Sequence, residues 1–199
     1  MHSKLILWLV TAMLRWTLPE AQHEDARARY ESIARDAAEV AFDSDEAPLF
    51  PGPLGRTKTA ALILSIASYE SAFEEDVDVG TKRGDHGRSW CLAQINLGTA
   101  RVRVEDQGER WAYSFDGVGW SGRDLVRDRA KCFRTALHMA RTSLRACGNL
   151  SVYTSGRCSK TEPQAIARYR RATSKFGDLG QSFWLDSDIE IPGPLASNP

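Results

Sequence analysis

Residues 58–72 read KTAALILSIASYESA, and this stretch decides the fold. Small or apolar side chains fill nearly every position through Ala67, which leaves no face for water. A helix that is apolar all round is buried, so this one is expected at the centre of the molecule. The segment before it, 43–55 (DSDEAPLFPGPLG), carries three prolines and two glycines and breaks any preceding helix. Thr57 or Thr59 stands where a cap for the new helix belongs. The segment after it, 74–90 (EEDVDVGTKRGDHGRSW), is a polar loop containing glycine.

Helical periodicity continues on both sides. In 24–42, Ala26, Tyr30, Ile33, Ala37 and Val40 recur at alternating spacings of four and three, which predicts an amphipathic helix with an acidic outer face. Ser121 with Asp124 three residues on resembles a capping box. From there one long helix is expected, with Val126, Ala130, Phe133, Leu137, Ala140, Leu144 and Cys147 on its apolar face and Gly148 as its C-terminal cap. A last helix is expected near 163–174, and residues 105–120 show no clear period. There is room for at most a short hairpin, within 77–104. The fold class is therefore mainly α around a buried central helix. The expected domain covers 23–190, between an apolar segment 1–22 and a frayed tail 191–199.

Composition fits one folded domain. The chain has 199 residues, 42% hydrophobic and 26% charged, which excludes a disordered chain and a multi-span membrane protein. Net charge is zero, against an unusually basic nucleic-acid binder, but the halves differ. Residues 1–100 hold 10 basic and 15 acidic side chains, whereas 123–175 hold 13 basic and 3 acidic. A locally positive face suits an anionic polymer, and a solvated helix surface is the plainer alternative.

The ten residues 5–14 (LILWLVTAML) follow Lys4 and precede Arg15. They are too few to span a bilayer, which takes about 20. Two readings fit: an export signal, for which Leu18-Pro19-Glu20-Ala21 is a poor cleavage site, or a short helix packed on the domain. Zinc is disfavoured for Cys91, Cys132, Cys147 and Cys158, because no C-x-x-C pair or histidine pattern accompanies them. Two disulfides are expected instead, in a protein that works outside a reducing cytosol. Cys132 and Cys147 lie 15 residues apart on one expected helix. That is about 22 Å at the helical rise, too far to bridge. Pairing Cys132 with Cys158 would drag residue 158 back along most of that helix. Cys91–Cys132 and Cys147–Cys158 are the expected pairs.

Glu70 is the residue that stands out chemically. It follows Ile63 by seven, Ile66 by four and Ala67 by three, so it shares their face. Desolvation there favours the neutral carboxyl. The helix C-terminal dipole and Glu74, Glu75 and Asp76 act in the same direction. A carboxylic acid kept protonated near neutral pH can donate to a glycosidic oxygen. A rim glutamate paired with one of the many arginines is the plain alternative.

The surroundings of Glu70 resemble a known pattern. Glu70-Ser71, Phe73, Gly84-Asp85-x-Gly87, Cys91-Leu92-Ala93-Gln94-Ile95 and Tyr153-Thr154-Ser155-Gly156 follow in the order and spacing of the lysozyme-like lytic transglycosylase family, with Tyr169 matching a tyrosine on its last helix. The resemblance covers about 57–172. Cys91 and Ala93 stand where that family has glycine and methionine, and Thr154 where it has asparagine. The Gly84-Asp85-x-Gly87 element is closer to the related goose-type lysozymes, in which an Asp here and another after the glutamine motif are linked to water activation. Asp85 matches the first; the second position holds Asn96, which is not a base.

The resemblance implies a lysozyme-like helical domain that cleaves the β-1,4 bond between N-acetylmuramic acid and N-acetylglucosamine in peptidoglycan. It implies a monomer, exported or phage-borne, without cofactor, metal, nucleic acid or stable membrane span. Glu70 is the expected catalytic acid. In lytic transglycosylation it then acts as base on the muramic acid C6 hydroxyl and yields 1,6-anhydro ends; this is the leading expectation. In hydrolysis a second carboxylate activates water, and Asp85, ahead of Asp76 and Asp78, is the candidate. Ser71, Gln94, Tyr153 and Tyr169 are the expected substrate-binding residues. Trp90, Trp111 and Trp120 are stacking platforms or core, and His86 is a solvated loop residue. The rival classes are a glycan-binding or virion module without activity and a cytosolic helical interaction protein.

Overall fold

The computed structural model describes residues 3–97 and 120–179. Eight α-helices are present among them: α1 Ser3–Thr17, α2 His23–Phe42, α3 Gly55–Ser71, α4 Glu75–Asp78, α5 Gly122–Arg127, α6 Arg129–Cys147, α7 Ser151–Ser155 and α8 Pro163–Thr173. A two-stranded antiparallel sheet, β1 Ser89–Trp90 and β2 Ile95–Asn96, pairs Ser89 with Asn96 and Trp90 with Ile95. The mainly α expectation and the short hairpin both match this architecture.

α3 is the axis of the packing. Ala60, Ala61, Ile63, Leu64 and Ala67 join one core with α1, α2 and α6. Leu62 and Ile66 join a second core with Ala140, Leu150, Ala165 and Ala172, under α7 and α8. Both faces are buried, which is why the sequence is apolar all round. α1 seals the first core with Leu5, Leu9 and Met13, each at most 1% exposed. α2 contributes Tyr30, Ile33, Ala37 and Val40, the stripe expected from its spacing.

Two local expectations are corrected. α3 begins at Gly55, earlier than Thr57 or Thr59, and neither threonine caps it. Thr59 Oγ1 donates back to the Gly55 carbonyl (2.8 Å) and accepts from the Leu49 backbone N–H (2.8 Å). Gly55 itself is sterically required, since a Cβ there would lie 2.1 Å from the Phe50 carbonyl oxygen. The helix expected from Ser121 to Cys147 is two helices. Asp128 adopts φ −133°, ψ 96°, ends α5 and caps α6 by accepting from the Lys131 backbone N–H. A short polar residue that can cap competes with helix continuation at such a point. The Ser121–Asp124 capping box and the left-handed Gly148 cap are both present.

Cys91 pairs with Cys132 (Cα–Cα 6.2 Å) and Cys147 with Cys158 (Cα–Cα 5.5 Å), the expected connectivity. The first ties the hairpin turn to the start of α6; the second ties the segment after α7 to the end of α6. Ion pairs add further ties. Arg129 bridges Asp36 of α2 and Asp78 of α4. Glu46, only 7% exposed, accepts from His138 and Arg141 of α6. No helix among the described residues is long and apolar enough to cross a membrane. Trp111 and the tail 191–199 lie outside the described residues.

Candidate active site

Helix α3 emerges from the core at its C-terminal turn, and the last residues of that turn meet water. Ala67 is fully buried, Glu70 is largely buried at the rim and Ala72 ends the helix in a left-handed conformation. Glu70 therefore projects from the buried helix into a cleft of about 640 Å³. The opposite wall is the hairpin, with Asp85, Ser89, Gln94 and Asn96. α7 contributes Tyr153 and Thr154, α8 Gln164 and Arg168, and α6 Met139 and Thr142.

The Glu70 carboxyl has a specific partner. Arg168 donates to Oε1 from Nε (3.0 Å) and from a terminal nitrogen (2.6 Å). Both donors converge on one oxygen, and no bond to Oε2 is made among the described residues. Burial pushes the Glu70 pKa above the usual carboxylate range, against the opposing pull of Arg168, and the Asp85 charge adds to the rise. Desolvation thus outweighs the cation, although the cation is close. Arg168 is itself 6% exposed, and Ser65 of α3 holds its backbone by donating to the Arg168 carbonyl (2.7 Å).

Asp85 is the electrostatic opposite of Glu70. Its Oδ2 accepts from Ser89 Oγ (2.6 Å) and Asn96 Nδ2 (2.9 Å). These two hydrogen bonds lower its pKa below the usual aspartate value. Asn96 is thus the orienting donor of the neighbouring carboxylate. One cleft holds two carboxyl groups whose surroundings push their pKa values apart, the pattern by which acid and base roles are separated.

The rest of the site is held by unusual backbone. Ala72, Phe73, Asp85, His86, Cys91 and Gln94 all have positive φ, between 48° and 58°. Each such non-glycine residue costs about 1–3 kcal/mol, and such strain clusters at functional sites. A Cβ on Gly84 would lie 2.2 Å from Gln94 Oε1, so any side chain there displaces the Gln94 amide. The Gln94 amide in turn donates to the Cys91 carbonyl (3.1 Å), so Gly84, Cys91 and Gln94 interlock. Tyr153 donates its hydroxyl to the Ala93 carbonyl (2.8 Å). Burial, then the Glu70 charge, pushes that phenol well above its ordinary pKa, so it stays a neutral donor.

Of the expected site residues, Glu70, Asp85, Gln94 and Tyr153 meet in the cleft. Ser71 and Tyr169 do not line it. The Ser71 hydroxyl donates to the Ala67 carbonyl and accepts from Phe73 N–H, so it closes the helix end rather than facing a ligand. Tyr169, 37% exposed, packs near Phe50 with ring centroids 6.3 Å apart. Asp78 is buried against Arg129, and the exposed Asp76 carboxylate accepts from Thr81 Oγ1 (3.3 Å); neither lines the cleft. Trp90 and Trp120 are 5% and 8% exposed and belong to the core. Arg168 is the cleft residue that the sequence did not single out. Its only signal was a charged side chain three after Ala165 and four before Ala172, on the buried face of the last helix. Among the described residues no cluster of three or more His, Cys, Asp or Glu side chains could hold a metal ion. No family model matches the chain, and neither does any curated protein or solved structure.

Proposed function

We propose that the chain is a lysozyme-like peptidoglycan-cleaving enzyme acting on the β-1,4 bond between N-acetylmuramic acid and N-acetylglucosamine. The observation that carries this reading is Glu70: a desolvated carboxyl at the end of the buried helix, facing a cleft that also holds Asp85, Gln94 and Tyr153. The elements of the transglycosylase pattern lie far apart in sequence, and a shared cleft is what that pattern requires. Two disulfides suit an exported or phage-borne protein.

The glutamate starts as the acid. Its raised pKa keeps the proton available, and Oε2 is the oxygen that delivers it to the leaving sugar. As the proton departs, the two Arg168 donors on Oε1 stabilise the carboxylate that forms. General acid–base assistance of this kind contributes about 10²–10⁴-fold in rate. In the leading reading, lytic transglycosylation, that carboxylate next takes the proton from the muramic acid C6 hydroxyl, whose oxygen closes onto C1 and gives an anhydro end. Gln94 contacts the sugar, and Tyr153 fixes the Ala93 carbonyl beside it.

Hydrolysis is the second reading, and Asp85 favours it. Asp85 is ionised, oriented by Ser89 and Asn96, and faces the same cleft as the acid. A carboxylate so placed can activate water on the opposite side of the sugar. A binding module without activity has no use for a desolvated acid opposed to an ionised carboxylate, which weighs against that class.

Mass analysis of the fragments released from purified peptidoglycan separates these readings. Anhydro ends, one water lighter, are expected, and Asp85→Asn is then expected to slow release without changing the product. Reducing ends from the wild type replace the transglycosylase reading with the hydrolase. Absence of any released fragment refutes both.

A further inference from the structure

Helix α8 forms a wall of two separate recesses. Gln164 and Arg168 face the cleft, whereas Arg170 and Arg171 line an open groove of about 710 Å³ with Trp16, Tyr69 and Lys175. The two recesses are close, because Tyr69 of the groove and Glu70 of the cleft are consecutive on α3.

The groove is built for an anion. Among the described residues no acidic side chain lines it, while Arg170, Arg171 and Lys175 do. Arg171 is pre-positioned: its guanidinium lies 4.1 Å from the centre of the Tyr69 ring and 6.0 Å from that of Trp16. One of its terminal nitrogens donates to Ser68 Oγ (2.8 Å), and the far edge of the fork remains open. Arg170 is exposed and makes no ion pair among the described residues. Tyr69, 40% exposed, gives the groove an aromatic surface. A guanidinium held against an aromatic ring binds carboxylates with little loss of conformational freedom.

We infer that this groove is a second binding site, one that takes the carboxylates of the stem peptide carried by the glycan strand. The inference rests on the peptidoglycan reading of the cleft. Distance supports this occupant. The groove and the cleft both border α8, and a helix with its side chains is roughly 10–12 Å across. A peptide of three or four residues spans about that distance at ~3.3–3.6 Å per residue. A stem peptide attached to a sugar in the cleft therefore reaches Arg170 and Arg171 with its terminal carboxylate. The excess of basic side chains over 123–175 thereby acquires a use at one defined place.

Calorimetric titration tests this with four probes: the disaccharide bearing its stem peptide, the same disaccharide without it, the free stem peptide, and a glycerol-phosphate polymer. The peptide-bearing disaccharide is expected to bind the wild type more tightly than the bare one. Replacing the exposed cation, Arg170→Gln, is expected to weaken that binding roughly two- to fivefold, as for one exposed ion pair. The bare disaccharide is expected to bind the variant as it binds the wild type. On insoluble peptidoglycan the variant is expected to raise KM and leave kcat unchanged. Equal affinity for the two disaccharides overturns the inference, and so does tighter binding of the glycerol-phosphate polymer. If peptide-free glycan strands are still cleaved in that case, the cleft reading stands alone. If the free stem peptide binds in an Arg170-dependent way but no glycan is cleaved, the groove's ligand stands and the cleft reading falls.

Discussion

Replacing Glu70 by Gln and by Leu separates a catalytic glutamate from a structural one. Glu70 and Arg168 form a pair in which the side chains are only 18% and 7% exposed. Gln keeps a carbonyl oxygen at the position of Oε1, so both Arg168 donors retain an acceptor. Leu offers none and leaves the guanidinium buried and unpaired. Removing one partner of a buried pair costs about 3–5 kcal/mol. For a domain of this size that is a fall in Tm of about 6–20 °C. Replacing the charged acceptor by a neutral one is expected to cost much less, about 1–2 kcal/mol. Catalysis partitions differently. Neither side chain can transfer a proton, so both variants are expected to lose about 10²–10⁴-fold in rate. Thermal melting and the clearing of a peptidoglycan suspension measure the two quantities on the same samples. The decisive case is Glu70→Gln: folded, near wild-type Tm, and inactive. A Gln variant that clears the suspension at near wild-type rate refutes the assignment of Glu70 as the acid.

The pH profile follows from the two carboxyl groups. Glu70 must be protonated to act, so kcat/KM is expected to fall as pH rises through its raised pKa, and Arg168→Met, which removes the cation that lowers that pKa, is expected to move this limb to higher pH. Asp85, with a lowered pKa, is ionised above its folded value and neutral below it. An acid limb that disappears in Asp85→Asn therefore marks the hydrolase, and an acid limb unchanged by that variant marks the transglycosylase. Exchanging Cys147 and Cys158 for serine is expected to cost roughly 3 kcal/mol for the short loop, read as a lower Tm, and to loosen the α7 segment that carries Tyr153. Gly84→Ala places a methyl group 2.2 Å from Gln94 Oε1 and is expected to displace that side chain, read as weaker binding of a glycan fragment with little change in Tm.

The periodic helices and the glycine cap were legible in the sequence because each depends on neighbours three or four residues away. The apolar run through Ala67 identified the central helix, and the interruption of that run located Glu70 at its rim. The disulfide pairing was equally readable, since a helix of known rise cannot bring Cys132 and Cys147 together. By contrast, the break at Asp128 was hidden, because the spacing of apolar residues continues across it from Val126 to Phe133. The roles of the polar residues depended on contacts between distant segments. Arg168 reaches Glu70 across 98 positions, and the one local feature that separates it from Arg170 and Arg171, which line the groove, is its spacing from Ala165 and Ala172. Ser71 adjoins the acid in sequence, yet a helix advances about 100° per residue, so the two side chains diverge. The direction of the Glu70 shift was readable from its apolar face, but the cation that opposes it was not. Sequence placed a carboxyl on an apolar face; only the folded chain set burial against the Arg168 cation, and there burial prevails.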